Sequence, residues 1–322
     1  MDLRQLEIIR AIAETGSFTR AGARLHVSQS AISRQILLLE EELKEPLFLR
    51  VGRQVQITPA GEALLQLSHR MFADIRETCA SIVDNQKTLS GTVNLVGGMT
   101  VCLYVFPRLL KEFRRLHPDV DIKIATGGTQ RLLRRIRSGR ADLGLLTLPI
   151  TEPGLTTVSA LREELMLVMP PGHPLERAKH PLDPAALVGE PFIIFEPGSN
   201  TRRVLDAFFL REQIQPKFVT ETENVEIMKA MVASGLGITI VPFQSVAQEA
   251  RNGTVSVARI RGPQLVRETG WVYRTGERVP RAVQEMMATL TRILPQLQLS
   301  ADSRPPIDAA PAIAARRRQK SG

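Results

Sequence analysis

Apolar runs of strand length alternate with helical stretches between residues 91 and 147. The pattern predicts strands at Val93–Val96, Asp121–Ala125 and Ala141–Thr147, separated by helices at Val101–Leu116 and Gln130–Ser138. A strand–helix–strand–helix–strand order predicts a parallel sheet with right-handed crossovers, because helices must cover its faces. This part of the chain therefore belongs to the α/β class.

Similar units continue to about residue 297. Further strands are predicted at Phe192–Phe195 and Gly270–Tyr273, and further helices at Thr201–Leu210, Val225–Ala233 and Pro280–Leu294. Roughly 200 residues are enough to form two lobes. We expect a bilobal domain over residues 91–298, with lobe I at 91–164 and 263–298 and lobe II at 165–262.

One long helix is predicted at residues 59–90, before the bilobal domain. Thr58 can cap this helix, and Pro59 suits its first position because proline has no N–H to leave unpaired there. Apolar residues recur along it at nearly heptad spacing, at Leu64, Leu67, Met71 and Ile75. Such a helix either pairs with a second copy of itself or docks on its own domain, and the sequence leaves both open.

Two short helices with a two-residue break are predicted between Ser17 and Glu40. Their order is that of a helix-turn-helix, in which the start of the second helix meets base edges. One side of that second helix is apolar, and the other side carries Gln29, Ser30, Ser33 and Arg34. Glutamine can pair with adenine and arginine with guanine. The pattern favours DNA binding; the alternative is that the serines only cap the helix and Arg34 is a solvated surface charge.

Residues 16–36, GSFTRAGARLHVSQSAISRQI, resemble the signature of the LysR-type transcriptional regulators. Leu39–Leu43 and Pro46–Phe48 continue the resemblance, and Thr58–Glu62 resembles the start of the family's linker helix. The resemblance is strongest in the first 65 residues and extends in layout over nearly the whole chain.

The resemblance implies a winged helix-turn-helix at residues 1–58, a dimerising linker helix at 59–90 and an effector domain like a periplasmic binding protein at 91–298. It also implies a homotetramer, a dimer of dimers, on double-stranded promoter DNA, with RNA polymerase as a further partner. Arg53 lies in the predicted hairpin that resembles the wing, where it would approach the DNA backbone or minor groove. The DNA-binding residues implied in this way are Ser28, Gln29, Ser30, Ser33, Arg34 and Arg53.

The sequence departs from the family pattern at four positions of the second helix and its end. Lys44 replaces the glycine that usually ends the helix, so we expect a different helix end. Leu37 and Leu38 replace residues that are commonly polar, and Leu37 continues the DNA-facing side. It can contact a thymine methyl group or a neighbouring helix. Ser30 stands where proline is frequent and adds a hydrogen-bond donor.

Polar helix starts follow three predicted strands of the bilobal domain, and they contain Thr100, Thr129, Ser199, Asn200 and Thr201. Backbone N–H groups beside a hydroxyl can bind a carboxylate, phosphate or sulfate, although ordinary helix caps look the same in sequence. The family resemblance assigns these positions to the effector site. We therefore expect a small, anionic effector between the two lobes. Cys102 lies close to Thr100, and we expect it to pack rather than to act in redox chemistry.

Composition limits the remaining classes. Lys and Arg number 42 and Asp and Glu 33, which gives a net charge of +9, but basic residues exceed acidic ones by only one in residues 1–58. Two cysteines cannot form a disulfide framework, and the chain shows neither a secretory signal nor a membrane-length apolar run. We expect a cytoplasmic protein that does not contact a membrane.

Two rival functions lack support in the sequence. An enzyme is not expected, because the histidines and cysteines show no metal-ligand spacing and no nucleotide-phosphate motif is present. We predict no cofactor and no metal site. A transport solute-binding protein would have similar lobes, but it needs export and has no use for a helix-turn-helix. The tail at residues 299–322, which ends in a basic cluster, is expected to be disordered.

Overall fold

The computed structural model describes residues 1–51, 54–83, 89–276 and 278–302. The helices are α1 (Leu3–Thr15), α2 (Phe18–Leu25), α3 (Gln29–Leu43), α4 (Pro59–Val83), α5 (Met99–Tyr104), α6 (Phe106–Leu116), α7 (Thr129–Arg137), α8 (Asn200–Arg211), α9 (Val225–Ala233), α10 (Phe243–Asn252) and α11 (Arg281–Ile293). The strands are β1 (Phe48–Val51), β2 (Gln54–Ile57), β3 (Gly91–Gly97), β4 (Val120–Thr126), β5 (Leu143–Thr147), β6 (Leu155–Met169), β7 (Pro191–Ile194), β8 (Lys217–Glu221), β9 (Thr239–Pro242), β10 (Ser256–Ala258) and β11 (Val266–Arg274).

The first three helices pack around a single apolar core, followed by the predicted antiparallel hairpin of β1 and β2. Both α2 and α3 begin at a serine N-cap. The Ser17 side chain accepts a hydrogen bond from the Arg20 amide at 3.4 Å, and the Ser28 side chain accepts one from the Ala31 amide at 3.2 Å. These bonds satisfy amides that a helix start leaves unpaired, and they explain why α2 and α3 begin where the sequence predicts.

The end of α3 corrects one expectation. Lys44 was expected to change the helix end because it replaces a glycine, but it adopts the left-handed conformation itself, with φ 55°. Its amide donates to the Glu40 carbonyl, as a glycine would at this position. The geometry is kept at an energetic cost, since the left-handed conformation disfavours a residue with a Cβ by about 1–2 kcal/mol.

The first half of α4 packs on the helix-turn-helix. Leu65 is fully buried there, and the Ser68 hydroxyl donates to the Leu6 carbonyl at 3.0 Å. The helix is described as far as Val83, shorter than the predicted 59–90, and residues 84–88 lie outside the described part. Ile75 and Cys79 are exposed on its second half. One alternative, docking on its own domain, therefore holds for the first half, while pairing with a second copy stays a prediction.

His69 on α4 faces lobe I. Gly139 lies in the turn that follows α7, and a Cβ added to it would be 3.0 Å from the Cβ of His69. Its Nε2 atom is buried and has no hydrogen-bond partner within the described residues. Burial, reinforced by the positive charges of Arg140 and Arg10, lowers the pKa of His69 to about 4. The imidazole is therefore neutral in the folded protein at neutral pH.

We expect acid to loosen this contact. The pKa of His69 lies below the ordinary value of about 6.5, so the stability it contributes is present above that pH and is lost as pH falls toward 4. His69→Leu should flatten the decline in unfolding free energy over this window by about 1–2 kcal/mol, after allowance for solvent screening. His26→Asn, at an exposed histidine, should behave as wild type. A His69→Leu profile parallel to wild type would contradict the assignment.

The predicted parallel arrangement is confirmed in lobe I, where β3 pairs with both β4 and β5 in parallel. The late strand β11 returns to this sheet and pairs antiparallel with β5 and β6. The single helix predicted at Val101–Leu116 is wrong, because α5 and α6 are separate elements that meet at Val105. Pro107 explains the break, since it has no N–H to continue the helical hydrogen bonds and its ring crowds the preceding turn.

The long strand β6 joins the two lobes. Its first part pairs with β11, and its last residues pair with β9 and β10. Parallel strands β7 and β8 complete the second lobe, which has its own apolar core. Lobe I has separate apolar clusters on the two faces of its sheet. The chain passes between the lobes in β6 and again next to β11, and these two strands pair side by side.

The start of the C-terminal tail is ordered, which corrects the expectation of disorder for residues 299–302. The Leu299 carbonyl accepts a hydrogen bond from the Glu164 amide, and the Ser300 hydroxyl and Ala301 amide donate to the Glu164 carboxylate at 2.8 and 2.9 Å. These donors and Arg259 lower the pKa of Glu164 to about 2 despite its burial. Residues 303–322, with the basic cluster, lie outside the described part. Within the described residues, no helix has the length and apolarity needed to span a membrane.

Candidate functional site

The polar start of α3 faces solvent. Gln29, Ser30 and Arg34 are exposed and Ser33 is half-buried, whereas Ile32, Ile36 and Leu39 on the opposite side are buried. The Gln29 amide donates to the Ser33 hydroxyl at 2.7 Å, and the Ser28 and Ser30 hydroxyls are 2.9 Å apart. The Ser28 hydroxyl also accepts from the Ala31 amide, and the other hydrogen bonds described for these side chains join them to one another. A DNA base edge can exchange for those mutual bonds.

Leucines extend the exposed side of α3. Leu37 is 54% exposed and Leu38 is 45% exposed. Leu37 follows Arg34 by three residues, so it lies about one turn further along the same side of the helix. An apolar side chain on a DNA-facing surface can contact only the methyl group of thymine among the major-groove edges. Arg53, the predicted wing residue, lies outside the described residues.

A second candidate site is a cavity of about 260 Å³ between the lobes. At about 30 Å³ for each water of liquid volume, it has room for about nine waters, which suits a small metabolite. The structure brings all five sequence-predicted effector residues to its wall. They come from both lobes and are Thr100, Thr129, Ser199, Asn200 and Thr201.

The five residues differ in what they offer a ligand. Thr100 is only 7% exposed, and its hydroxyl makes no hydrogen bond within the described residues. Thr129 is half-buried at the start of α7, whose cap residue Gly128 supplies no side-chain bond. Both hydroxyls can therefore bind a ligand without breaking an existing bond.

The three lobe II residues are already engaged. The Ser199 hydroxyl accepts from the Arg202 amide and caps α8. The Asn200 amide donates across the cleft to the carbonyls of Thr147 and Pro149, at 2.5 and 3.1 Å. Asn200 thus links the lobes through its side-chain N–H groups, and its Oδ1 atom accepts from Arg203 at 3.1 Å. Its backbone amide can still donate to a ligand.

Sequence reasoning missed a buried charge pair at this cavity. Arg267 lines the cavity and is 3% exposed, and Glu163 behind it is 1% exposed. The guanidinium donates to both carboxylate oxygens, at 2.9 and 3.1 Å, and to the Thr201 hydroxyl at 3.0 Å. The Thr269 hydroxyl also donates to Glu163, at 2.8 Å. Glu163 and Arg267 are cross-strand partners on β6 and β11; the only signal in the sequence was a pair of glutamates inside an apolar run.

Acidic groups also line the cavity. Glu196 is half-buried and Glu223 is exposed. Both line the cavity from lobe II, whereas Thr100 and Thr129 line it from lobe I. Arg131 contributes a second positive charge. The cavity therefore combines hydroxyl and backbone N–H donors with two carboxylate acceptors, and its wall carries no excess of positive charge.

Comparisons with known proteins agree with the division into a helix-turn-helix and a bilobal domain. Residues 3–62 match the family described as "Bacterial regulatory helix-turn-helix protein, lysR family", and residues 86–294 match the "LysR substrate binding domain". The transcriptional activator CmpR of Synechocystis sp. is 31% identical, with 88% of this chain and 93% of the relative covered. A probable RuBisCO transcriptional regulator of Trichormus variabilis is 32% identical, with 91% and 88% covered.

A solved structure shows the same architecture over the full length. Full-length OxyR from Pseudomonas aeruginosa, a single-residue variant, superposes with a TM-score of 0.77 at 26% identity, and 97% of this chain and 99% of that chain are covered. The two family matches account for the helix-turn-helix and for the bilobal domain, and the relatives are transcriptional regulators rather than enzymes. The chain is a member of the LysR family of DNA-binding transcriptional regulators, with an effector-binding domain.

Proposed function

We propose that this chain regulates transcription by reading an operator with α3 and by binding a small anionic effector in the cavity between its lobes. The observation that carries the proposal is the convergence of Thr100 and Thr129 from lobe I with Ser199, Asn200 and Thr201 from lobe II on one cavity. Binding there can shift the packing of the lobes, because a ligand that contacts both stabilises one relative position.

The domain division follows the same proposal. Residues 1–58 bind DNA, 59–90 form the linker, and 91–298 bind the effector in lobes at 91–164 with 263–298 and at 165–262. Gln29, Ser30, Ser33 and Arg34 meet the major groove, Ser28 caps the helix toward a phosphate, and Arg53 approaches the backbone or minor groove. The protein acts in the cytoplasm as a dimer of dimers, with pairing through the second half of α4, where Ile75 and Cys79 are exposed, and contacts RNA polymerase at the promoter.

The acceptors in the cavity refine the effector. An anionic group can use the Thr100 and Thr129 hydroxyls and the backbone amides at the start of α7 and α8. Glu196 and Glu223 can accept hydrogen bonds from a hydroxyl or ammonium group elsewhere on the same molecule. A bare polyanion fits this wall less well than a molecule that carries both kinds of group.

Arg34→Ala should weaken binding to the specific operator by about 10–100-fold, because a bidentate contact to guanine contributes about 1–3 kcal/mol of discrimination. Binding to unrelated DNA should change much less. Arg24→Ala is the matched control, since Arg24 is an exposed arginine of α2 that pairs with Glu14. The measurement is fluorescence anisotropy with an operator selected from random DNA by the wild-type protein. Equal effects of the two variants would remove Arg34 from base reading.

Thr100→Val should abolish the stabilisation of the protein by its effector while leaving DNA binding by the free protein intact. Valine keeps the shape of the threonine and removes the hydroxyl, so the loss reports one hydrogen bond in a buried site. Thermal shift with acetate, lactate, succinate and inorganic phosphate provides the measurement. Thr92→Val, at an exposed position of β3 outside the cavity, is the control. An unchanged anion response in Thr100→Val would disprove the assigned site.

A further inference from the structure

The Arg267–Glu163 pair has binding capacity that the fold does not use. A guanidinium carries five N–H groups. Two donate to Glu163 and one to Thr201, so two N–H groups of Arg267 have no partner within the described residues. The side chain is 3% exposed, and the surface that it does present belongs to the wall of the inter-lobe cavity.

Unpaired donors in a buried position are costly, and a guanidinium is built to present two of them to a planar carboxylate. Glu163 receives three hydrogen bonds, two from Arg267 and one from Thr269, so the fork is held in one orientation. Thr201 fixes a third edge of the same guanidinium from lobe II. Arg267 is therefore preorganised rather than free to search for a partner.

Charge sets the kind of anion that this fork can accept. Glu163 neutralises Arg267 directly, and the other charged residues of the wall, Arg131, Glu196 and Glu223, add no net positive charge. A phosphate or sulfate brings close to two negative charges into this low-dielectric site, whereas a carboxylate brings one. The fork can donate two hydrogen bonds to a carboxylate or to a phosphate alike, so the discrimination comes from the charge balance, which disfavours the dianion.

We propose that Arg267 is a specificity-determining residue of the effector site: it binds a carboxylate of the effector through its two unused N–H groups, and Glu163, as a positioning residue, orients the fork and excludes dianions. This inference rests on the proposed function. It assigns the effector to the monocarboxylate class, with a hydroxyl or ammonium group for the acidic wall. It also connects the ligand to β6 and β11, the strands that cross between the lobes.

The test uses the full chain and the dissociation constants of lactate, succinate, inorganic phosphate and sulfate, measured by isothermal titration calorimetry. Wild type should bind lactate, a monocarboxylate, more tightly than the dianions succinate, phosphate and sulfate. The double variant Glu163→Gln/Arg267→Gln removes both charges together, keeps amide hydrogen bonding between the strands, and should bind the carboxylate at least about tenfold more weakly. Glu163→Gln alone leaves Arg267 unneutralised, so it should bind the carboxylate several-fold more tightly and admit phosphate or sulfate.

A purely structural role of the pair predicts a different pattern, in which Glu163→Gln weakens binding or leaves it unchanged. Trp271 fluorescence of each free variant verifies that the domain is folded, since this buried residue lies on β11 close to Arg267. Carboxylate binding that depends on Thr100 but not on Arg267 would overturn this inference and leave the proposed function standing. Preference of wild type for phosphate or sulfate would overturn the carboxylate assignment alone. Failure of every anion to bind would overturn both.

Discussion

Arg267→Met should lower the free energy of unfolding of the effector-binding domain by about 3–5 kcal/mol, because it leaves Glu163 as a buried carboxylate without a cation. The Thr269 hydroxyl would be its remaining side-chain donor. Urea unfolding followed by Trp271 fluorescence is the direct measurement, since Trp271 is the single tryptophan of the chain and lies on the same strand.

Two companion variants make this result interpretable. Arg259→Met removes the partner of the adjacent Glu164, but Arg259 is 41% exposed and Glu164 keeps its bonds to Ser300 and Ala301. That variant should cost about 1 kcal/mol, as an accessible ion pair does. The double variant Glu163→Met/Arg267→Met removes both buried charges and should recover most of the lost stability. A loss below about 1 kcal/mol for Arg267→Met would show that water reaches the pair.

Gly22→Ala should abolish specific operator binding and destabilise the DNA-binding domain by about 1–3 kcal/mol. Alanine normally stabilises a helix interior by about 1 kcal/mol relative to glycine, so the expected sign is reversed here. A Cβ on Gly22 would lie 2.7 Å from the Val27 carbonyl oxygen and 3.4 Å from the Gln29 amide nitrogen, both backbone atoms of the turn into α3. The turn must move, and the residues at the start of α3 that we propose as base-reading move with it.

Anisotropy with the selected operator and thermal unfolding of the same samples would measure both effects. Ala23→Ser is the control, because Ala23 is the next residue of α2 and is exposed. It should retain operator affinity within a few-fold. The prediction would be contradicted if Gly22→Ala bound the operator and unfolded like wild type. The close approach of α2 to the turn would then not be required for the geometry of the helix-turn-helix.

Local signals predicted the DNA-binding domain well. Ser17 and Ser28 are caps that act within three residues of their own position, so the sequence contains the information that starts α2 and α3. Lys44 shows the limit of this reasoning, because it adopts a left-handed conformation that its own preference opposes. Pro107 was visible in the sequence, and its effect on the helix at α5 and α6 follows from its chemistry alone.

The effector site was predictable only in part. Thr100, Thr129 and Ser199 stand beside strand ends in the sequence, and that position is enough to bring them to one edge of the fold. The Arg267–Glu163 pair joins residues 104 positions apart through the register of β6 and β11. The strand β6 was not predicted, because its long apolar run passes from one lobe to the other and shows no single alternation. Without that strand, the pairing of the two charges could not be derived.

The position of α7 has a consequence for signalling. Its first residue, Thr129, lines the effector cavity, and the turn after its last residue holds Gly139 against His69 of α4. At about 1.5 Å per residue, the nine residues of α7 form a helix about 13 Å long. If the proposed effector moves the Thr129 end of α7, we expect the other end to shift against α4, which packs on the helix-turn-helix. In the proposed function, the effector would therefore act on the DNA-binding domain through lobe I, and lobe II would supply the opposite wall of the cavity.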